Sequence, residues 1–303
     1  MFQLPLKIFN TLRVILAKPL NKSKKIDALR RYLSWQIGSR LVPGDVLVPF
    51  VDETYLRTSF GIPGATLNVY CGLHEFEDMA FTLHLLRKGD LFVDVGANIG
   101  SYSVLAGGAV GANCLSVEPI LRTFHMLEEN IHLNRLSGHV HALNIGIGKE
   151  AGRLKMTAGL DAMNHVLSDS EKDVGAIEVS VVPLDDLLEG HEPILIKIDV
   201  EGFESNVIAG AGTVFSRPSL LAVIIELDGS GQRYGFDEGL IHQKMLSLGF
   251  KTYGYSPFDR QLISLEEKKN RPGNTIYVRD VDKVLSRLGK AKQYWIANAA
   301  RNV

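Results

Sequence analysis

Five carboxylates stand where their neighbours could put them to chemical use: Asp94, Glu118, Asp199, Glu201 and Glu226. Asp94 falls in the apolar run Leu91-Phe92-Val93-Asp94-Val95, two residues before the turn Gly96-Ala97-Asn98-Ile99-Gly100. An apolar run closing on a glycine turn that opens a helix lets backbone amides approach a small ligand. Gly96 and Gly100 are four apart and Asn98 takes the middle glycine's place, so this is not the dinucleotide fingerprint. An acid ahead of the turn suits a ligand with a positive amine rather than a diphosphate. Glu118, in Val117-Glu118-Pro119, follows Gly100 by 18 residues at the end of the next apolar run. A carboxylate there can accept both hydroxyls of a ribose. Amine and ribose together fit S-adenosylmethionine better than NAD.

Asp199 and Glu201 lie in Ile194-Leu195-Ile196-Lys197-Ile198-Asp199-Val200-Glu201-Gly202-Phe203-Glu204. Side chains alternate along a strand, so Lys197, Asp199 and Glu201 would share a face if the strand runs that far. Lys197 inside an apolar strand needs a partner, and Asp199 is the obvious one. Glu226 closes the next apolar run, and open α/β sheets bind ligands at the carboxyl ends of their strands. These acids could remove a proton from a methyl acceptor, or Asp199 and Glu226 could hold a hard divalent ion that acidifies its hydroxyl. Both readings stay open, and no metal ligand is assigned. His74, beside Glu75, and His165 are candidates for contact with the acceptor.

Positioning these groups requires alternating strands and helices. Strands are expected at 91–95, 114–117, 139–145, 194–200 and 221–227, with two late ones near 251–255 and 274–279. Helices are expected at 75–88, 120–136, 203–209 and 237–248. This alternation predicts an α/β fold with a mostly parallel sheet covered on both faces. The 48 or so residues between the third and fourth strands predict an inserted hairpin near 150–182, with a short helix at 184–188. The chain divides into a basic helical arm at 1–40, a cap at 41–88 (strands and turns over 41–73, then the helix at 75–88), a cofactor-binding domain at 89–280 and a C-terminal helix at 281–303.

The 303 residues carry 33 Lys plus Arg against 34 Asp plus Glu, which excludes a globally basic nucleic-acid binder. No apolar run approaches the roughly 20 residues of a spanning helix. The charge is unevenly spread. Residues 1–31 hold eight bases (Lys7, Arg13, Lys18, Lys22, Lys24, Lys25, Arg30 and Arg31) and one acid, Asp27. Residues 1–25 interleave bases with Phe2, Leu4, Leu6, Ile8, Phe9, Leu12, Ile15 and Leu16. That pattern suits either a helix covering the body or an amphipathic helix resting on an anionic membrane. Lys7, Arg13 and Lys18 interrupt any signal-peptide core, and two cysteines are too few for a disulfide framework or a cysteine-built zinc site. The expected location is cytoplasmic, with the arm able to meet the inner face of a membrane.

Four segments carry a family resemblance: residues 92–100, Val117-Glu118-Pro119, Val182-Pro183-Leu184-Asp185-Asp186 and residues 196–204. They resemble the FkbM-type methyltransferases over roughly residues 66–280, and the last segment is the most specific. The resemblance implies a class I, Rossmann-like sheet of seven strands, the last inserted antiparallel. It implies that Asp94, Gly96, Ala97, Asn98, Gly100, Glu118 and Pro119 bind S-adenosylmethionine, and that Asn144 and Gly146 edge the adenine. It also implies methylation of a hydroxyl on a sugar, glycolipid or polyketide-type metabolite. Phe203 stands where many members carry His, so no histidine base is placed there. The leading expectation is an S-adenosylmethionine-dependent O-methyltransferase. The alternative is a non-catalytic nucleotide-binding scaffold recruited to a membrane or a biosynthetic complex by its arm.

Overall fold

The computed structural model describes residues 3–41, 44–59, 61–160, 163–168, 171, 175–270 and 273–303. Helices α1 (Gln3–Ala17) and α2 (Lys25–Leu41) lead into a hairpin, β1 (Val46–Pro49) with β2 (Tyr55–Thr58). Helices α3 (Pro63–Cys71) and α4 (Phe76–Leu85) follow. The expected cap of strands and turns is thus partly helical, because Pro63 at the first turn starts α3 and Gly72, at φ +81°, ends it. Of the apolar and basic residues expected along the arm, Phe2 and the side chains of Leu4, Leu6, Lys7 and Ile8 lie outside the described residues.

The next strands in chain order are β3 (Leu91–Val95), β4 (Asn113–Val117), β5 (Val140–Leu143), then β6 (Gly146–Ile147), β7 (Gly152–Met156), β8 (Ile177–Val182) and β9 (Pro193–Ile198). Between them run α5 (Ser101–Val104), extended by a wider π turn at Leu105–Val110, α6 (Leu121–Leu133) and α7 (Leu184–Leu187). Helix α8 (Glu204–Ala209), β10 (Ala222–Glu226), α9 (Glu238–Ser247), β11 (Lys251–Ser256), β12 (Gln261–Ser264), β13 (Asn274–Val278) and α10 (Val281–Gly289) complete the body. The main sheet has eight strands in the order β12-β11-β13-β10-β9-β3-β4-β5. From β10 to β5 all pairs are parallel, and β13 is antiparallel to both its neighbours. The strand beyond the expected seven is β12, which pairs back on β11 along the edge. The expected insert is present as β7 and β8, antiparallel to each other, with β6 alongside β8.

Alternation along the strands gives the sheet two cores. Val93, Val95, Ile196, Ile198, Val223 and Ile225 face one, together with Leu184, Val207 and Ile241 of the helices. Phe92, Leu195 and Ile224 face the other, packed with α4 and α10. On this second face the carboxyl-terminal halves of the strands turn polar, since Asp94 is in register with Lys197 and Glu226 with Asn274. Two expected boundaries are corrected. The strand expected at 194–200 ends at Ile198, because Glu201 (φ +55°) and Gly202 (φ +101°) turn the chain away. The C-terminal helix stops at Gly289, and a two-stranded ribbon, β14 (Trp295–Ile296) with β15 (Arg301–Asn302), closes the chain against the β1–β2 loop.

Candidate active site

A single cleft opens where β3, β4, β9 and β10 end. Its lining includes Asp94, Gly96, Ala97, Asn98, Glu118, Pro119 and Gly146 on one side, and Asp199, Glu201 and Glu226 on the other. His74 and Glu75, from the loop before α4, line it as well. Three candidate residues lie off the lining. Gly100 is filled by packing, since a Cβ there would meet Leu127 at 2.5 Å. Asn144 donates to the carbonyls of Glu118 and Pro119, both at 2.9 Å, and so braces that turn from behind. His165 is 4% exposed and spends both ring nitrogens on the insert, one on the Met163 carbonyl and one on Glu171, each at 2.9 Å.

The glycine turn is shaped by the chain itself. At Gly96, φ is +83° and a Cβ would sit 1.8 Å from the Asp199 carbonyl oxygen, so only glycine lets the β9 turn pass. Glu118 is held by two backbone amides, Asn98 N to Oε2 at 3.0 Å and Ile120 N to Oε1 at 2.9 Å. Burial outweighs those donors and pushes the Glu118 carboxyl up to about 7. Asp94 is fully buried. Its Oδ2 accepts from Ser103 at 2.7 Å, and its Oδ1 has no partner. Burial raises it to about 6, although the nearby Lys197 charge opposes the rise.

On the other side Lys197 Nζ donates to Asp199 Oδ2 at 2.6 Å and lies 4.8 Å over the Tyr102 ring. Burial works against the lysine charge, but Asp199, Glu75 and Asp94 outweigh it and the ammonium is retained. The carboxyls of Asp199, Glu201 and Glu226 approach within 4.8 Å of one another, a spacing that could hold a cation. Close carboxylates without one share protons. Burial and the Asp199 charge push Glu226 well above the usual carboxylate range, and Glu226 hydrogen-bonds Asp199. Burial, then Asp199, pushes Glu201 up to about 7. The turn carrying them is tied by Glu204 Oε1, which accepts from Val200 N at 3.0 Å and Gly202 N at 3.3 Å.

Several lining or supporting groups were not anticipated. Tyr102 donates to Glu75 Oε2 at 2.7 Å, and Asn274 donates to Glu75 Oε1 at 3.0 Å and to Asp78 at 3.2 Å. Burial opposes ionisation of Glu75, yet neighbouring positive charge and these donors hold it low. With His74 itself pushed toward its neutral form by burial, Lys197 is the lasting charge. Phe203 lines the cleft beside Tyr234, with ring centres 5.5 Å apart. The strand register brings Asn274 to Glu226, a contact no local signal could announce.

Strand order and site together define a class I methyltransferase fold: parallel strands either side of a switch point between β3 and β9, a reversed strand next to β10, and a cleft at the carboxyl ends. Residues 94–252 match the methyltransferase FkbM domain, and the chain belongs to that family of methyltransferases. It is 30% identical over 156 residues to the hexuronic acid methyltransferase AglP of Haloferax volcanii, covering 50% of this chain and 62% of that protein. It is 25% identical over 250 residues to Methyltransferase 1 of Beauveria bassiana, covering 73% of this chain and 99% of that one. A solved structure, the precorrin-6y C5,15-methyltransferase of Geobacter metallireducens, is 11% identical with a TM-score of 0.39, over 68% of this chain and 88% of that one. Among the described residues no helix is long and apolar enough to cross a membrane.

Proposed function

We propose that this methyltransferase uses S-adenosylmethionine to methylate a hydroxyl of a sugar, with a hexuronic acid as the first acceptor to test. The observation that carries this reading is one cleft with two kinds of acid. Asp94 and Glu118 sit at the ends of β3 and β4, and the Asp199–Glu226 pair at the ends of β9 and β10. The residues fit the cofactor. The partnerless Asp94 Oδ1 offers a buried acceptor near the glycine turn, and Glu118 is fixed with lone pairs to spare for ribose hydroxyls. S-adenosylmethionine supplies a sulfonium methyl already activated for in-line displacement.

The chain's own residues orient the acceptor and take its proton. Asp199, held by Lys197, accepts the hydroxyl proton as the oxygen attacks, and the hydrogen-bonded Glu226 carboxyl shares it. Lys197 holds Asp199 in place. The ring of Phe203 offers an apolar face beside these acids, a pairing that suits a sugar's C–H surface and hydroxyls. The likeness to a hexuronic acid methyltransferase supports the acceptor class. Titration calorimetry with S-adenosylhomocysteine should show binding, and mass spectrometry should show a methyl ester-free gain of one methyl ether on a hexuronic acid glycoside. No S-adenosylhomocysteine binding removes the cofactor reading; binding without methylation of any sugar hydroxyl removes the acceptor reading. Turnover that survives EDTA supports proton transfer by the acids, and loss restored by magnesium would put a cation among them instead.

A further inference from the structure

Helix α2 is apolar on two opposite sides. Ala28, Tyr32 and Trp35 are buried against α1 and α3, in a cluster with Ile15, Val69 and Tyr70. Ile26 (78% exposed), Leu29 (38%), Leu33 (48%), Ile37 (58%) and Leu41 (74%) point away from that cluster. At 3.6 residues per turn these five fall within an arc of about 120°, centred roughly opposite the buried face. A helix that only covered the body would carry solvated polar residues there. Four and a half turns of exposed Ile and Leu are an unpartnered surface.

Its charges say what covers it. Lys25 and Arg40 lie toward one edge of the stripe and Arg30 toward the other, all exposed, and Asp27 is the helix's single acid. Three other bases of this region serve the body. Lys18 donates to the His74 carbonyl and Lys24 to the Ala300 carbonyl, each at 2.7 Å, and Arg31 donates to Asn21 at 2.6 Å. Two copies of α2 meeting face to face would set these cations against each other with almost no acid to pair. An anionic lipid surface satisfies both features, since acyl chains take the Ile and Leu side chains and headgroups take the cations.

We infer that the outer face of α2, residues 26–41, docks the protein on anionic membranes. Membrane contact was expected from residues 1–25. That segment, however, buries Ile15 and Leu20 in the body, whereas α2 presents five exposed Ile and Leu side chains along one face. The inference is independent of the proposed cofactor and acceptor. The test is flotation of the full chain with vesicles of phosphatidylcholine alone or mixed with phosphatidylserine. The wild type should float with the anionic vesicles only, and less as salt rises. Leu33→Gln with Ile37→Gln should lower the partition coefficient by about tenfold or more. Lys25→Gln with Arg30→Gln should lower it by about tenfold and flatten its salt dependence. Both variants should keep the wild-type melting temperature, because the altered side chains are exposed. No flotation of the wild type, or flotation unchanged in both variants, overturns the inference. A dimer in sedimentation velocity that Leu33→Gln with Ile37→Gln abolishes overturns it too, in favour of an interface between copies.

Discussion

At the β3–β4 end of the cleft, Glu118 is gripped by two backbone amides and Asp94 by a serine hydroxyl, and among the described residues neither makes a direct salt bridge, with Lys197 acting on Asp94 from nearby. At the β9–β10 end, Asp199 is gripped by an ammonium and by another carboxyl. Backbone donors fix a carboxylate's position while leaving lone pairs for a ligand, which suits a site that must bind and release. A lysine and a neighbouring acid tune when a proton is held, which suits a site that must accept one. The two pairs sit on one sheet, a strand or two apart, and differ in what surrounds them.

The comparison breaks most sharply at Asp199. Asp199→Asn keeps the shape and removes the proposed base, so kcat should fall by about a thousandfold while S-adenosylhomocysteine affinity by calorimetry stays within about threefold. Equal losses in both would mean that the two ends are one binding site. Next in size is Gly96→Ala, where the new methyl meets the Asp199 carbonyl oxygen and links the ends physically. It should cost about 3 kcal/mol or more in denaturant unfolding. Gly89→Ala, at φ +82° with nothing near its Cβ, should cost about 1 kcal/mol. Similar costs for the two would show that backbone strain alone, without the crossing chain, sets the penalty.

At the other end, Glu118→Gln should weaken S-adenosylhomocysteine binding by roughly tenfold to a hundredfold, with a smaller change in kcat at saturation. The same variant reports on pH. Glu118 is held near 7 and Asp94 near 6 by burial, so between about pH 4 and 7 the folded state binds more protons than the unfolded one. Stability of the ligand-free protein from these groups therefore falls as pH rises through that window, and Glu118→Gln should make the melting temperature fall less from pH 5 to 8. A steeper fall in the variant would show that Glu118 stabilises the fold when charged. The smallest effect is expected at His165. Its nitrogens serve the insert, so His165→Ala should cost about 1 kcal/mol in stability and alter kcat by less than about threefold. A hundredfold loss in kcat with normal folding would return His165 to the acceptor site.

Much of this was readable along the chain. Each apolar run was local and so was each acid closing it, which is why the parallel sheet, the glycine turn, Glu118, the Lys197–Asp199 pair and the inserted hairpin were all expected. What failed was of another kind. The strand expected through Val200 ends two residues sooner, because Glu201 and Gly202 adopt left-handed backbone that only the close passage of Ser230 and Gly96 makes necessary. His165 is a candidate for acceptor contact by sequence, since nothing in the residues beside it announces that Glu171 folds back on it.

The alternation of apolar runs determined the class of fold, and the types of residue at the strand ends determined that acids would line the cleft there. Side-chain alternation is a property of the strand itself, and it needs no knowledge of the neighbours. Only the tertiary structure decided that Asp94 lies level with Lys197, that Glu226 meets both Asp199 and Asn274, and that Glu75 reaches them from before α4. Register between strands far apart in sequence is set by how two cores pack on opposite faces of one sheet. The same holds for α2, whose pattern carries two apolar faces: burial of Tyr32 and Trp35 selects one and leaves the other outward.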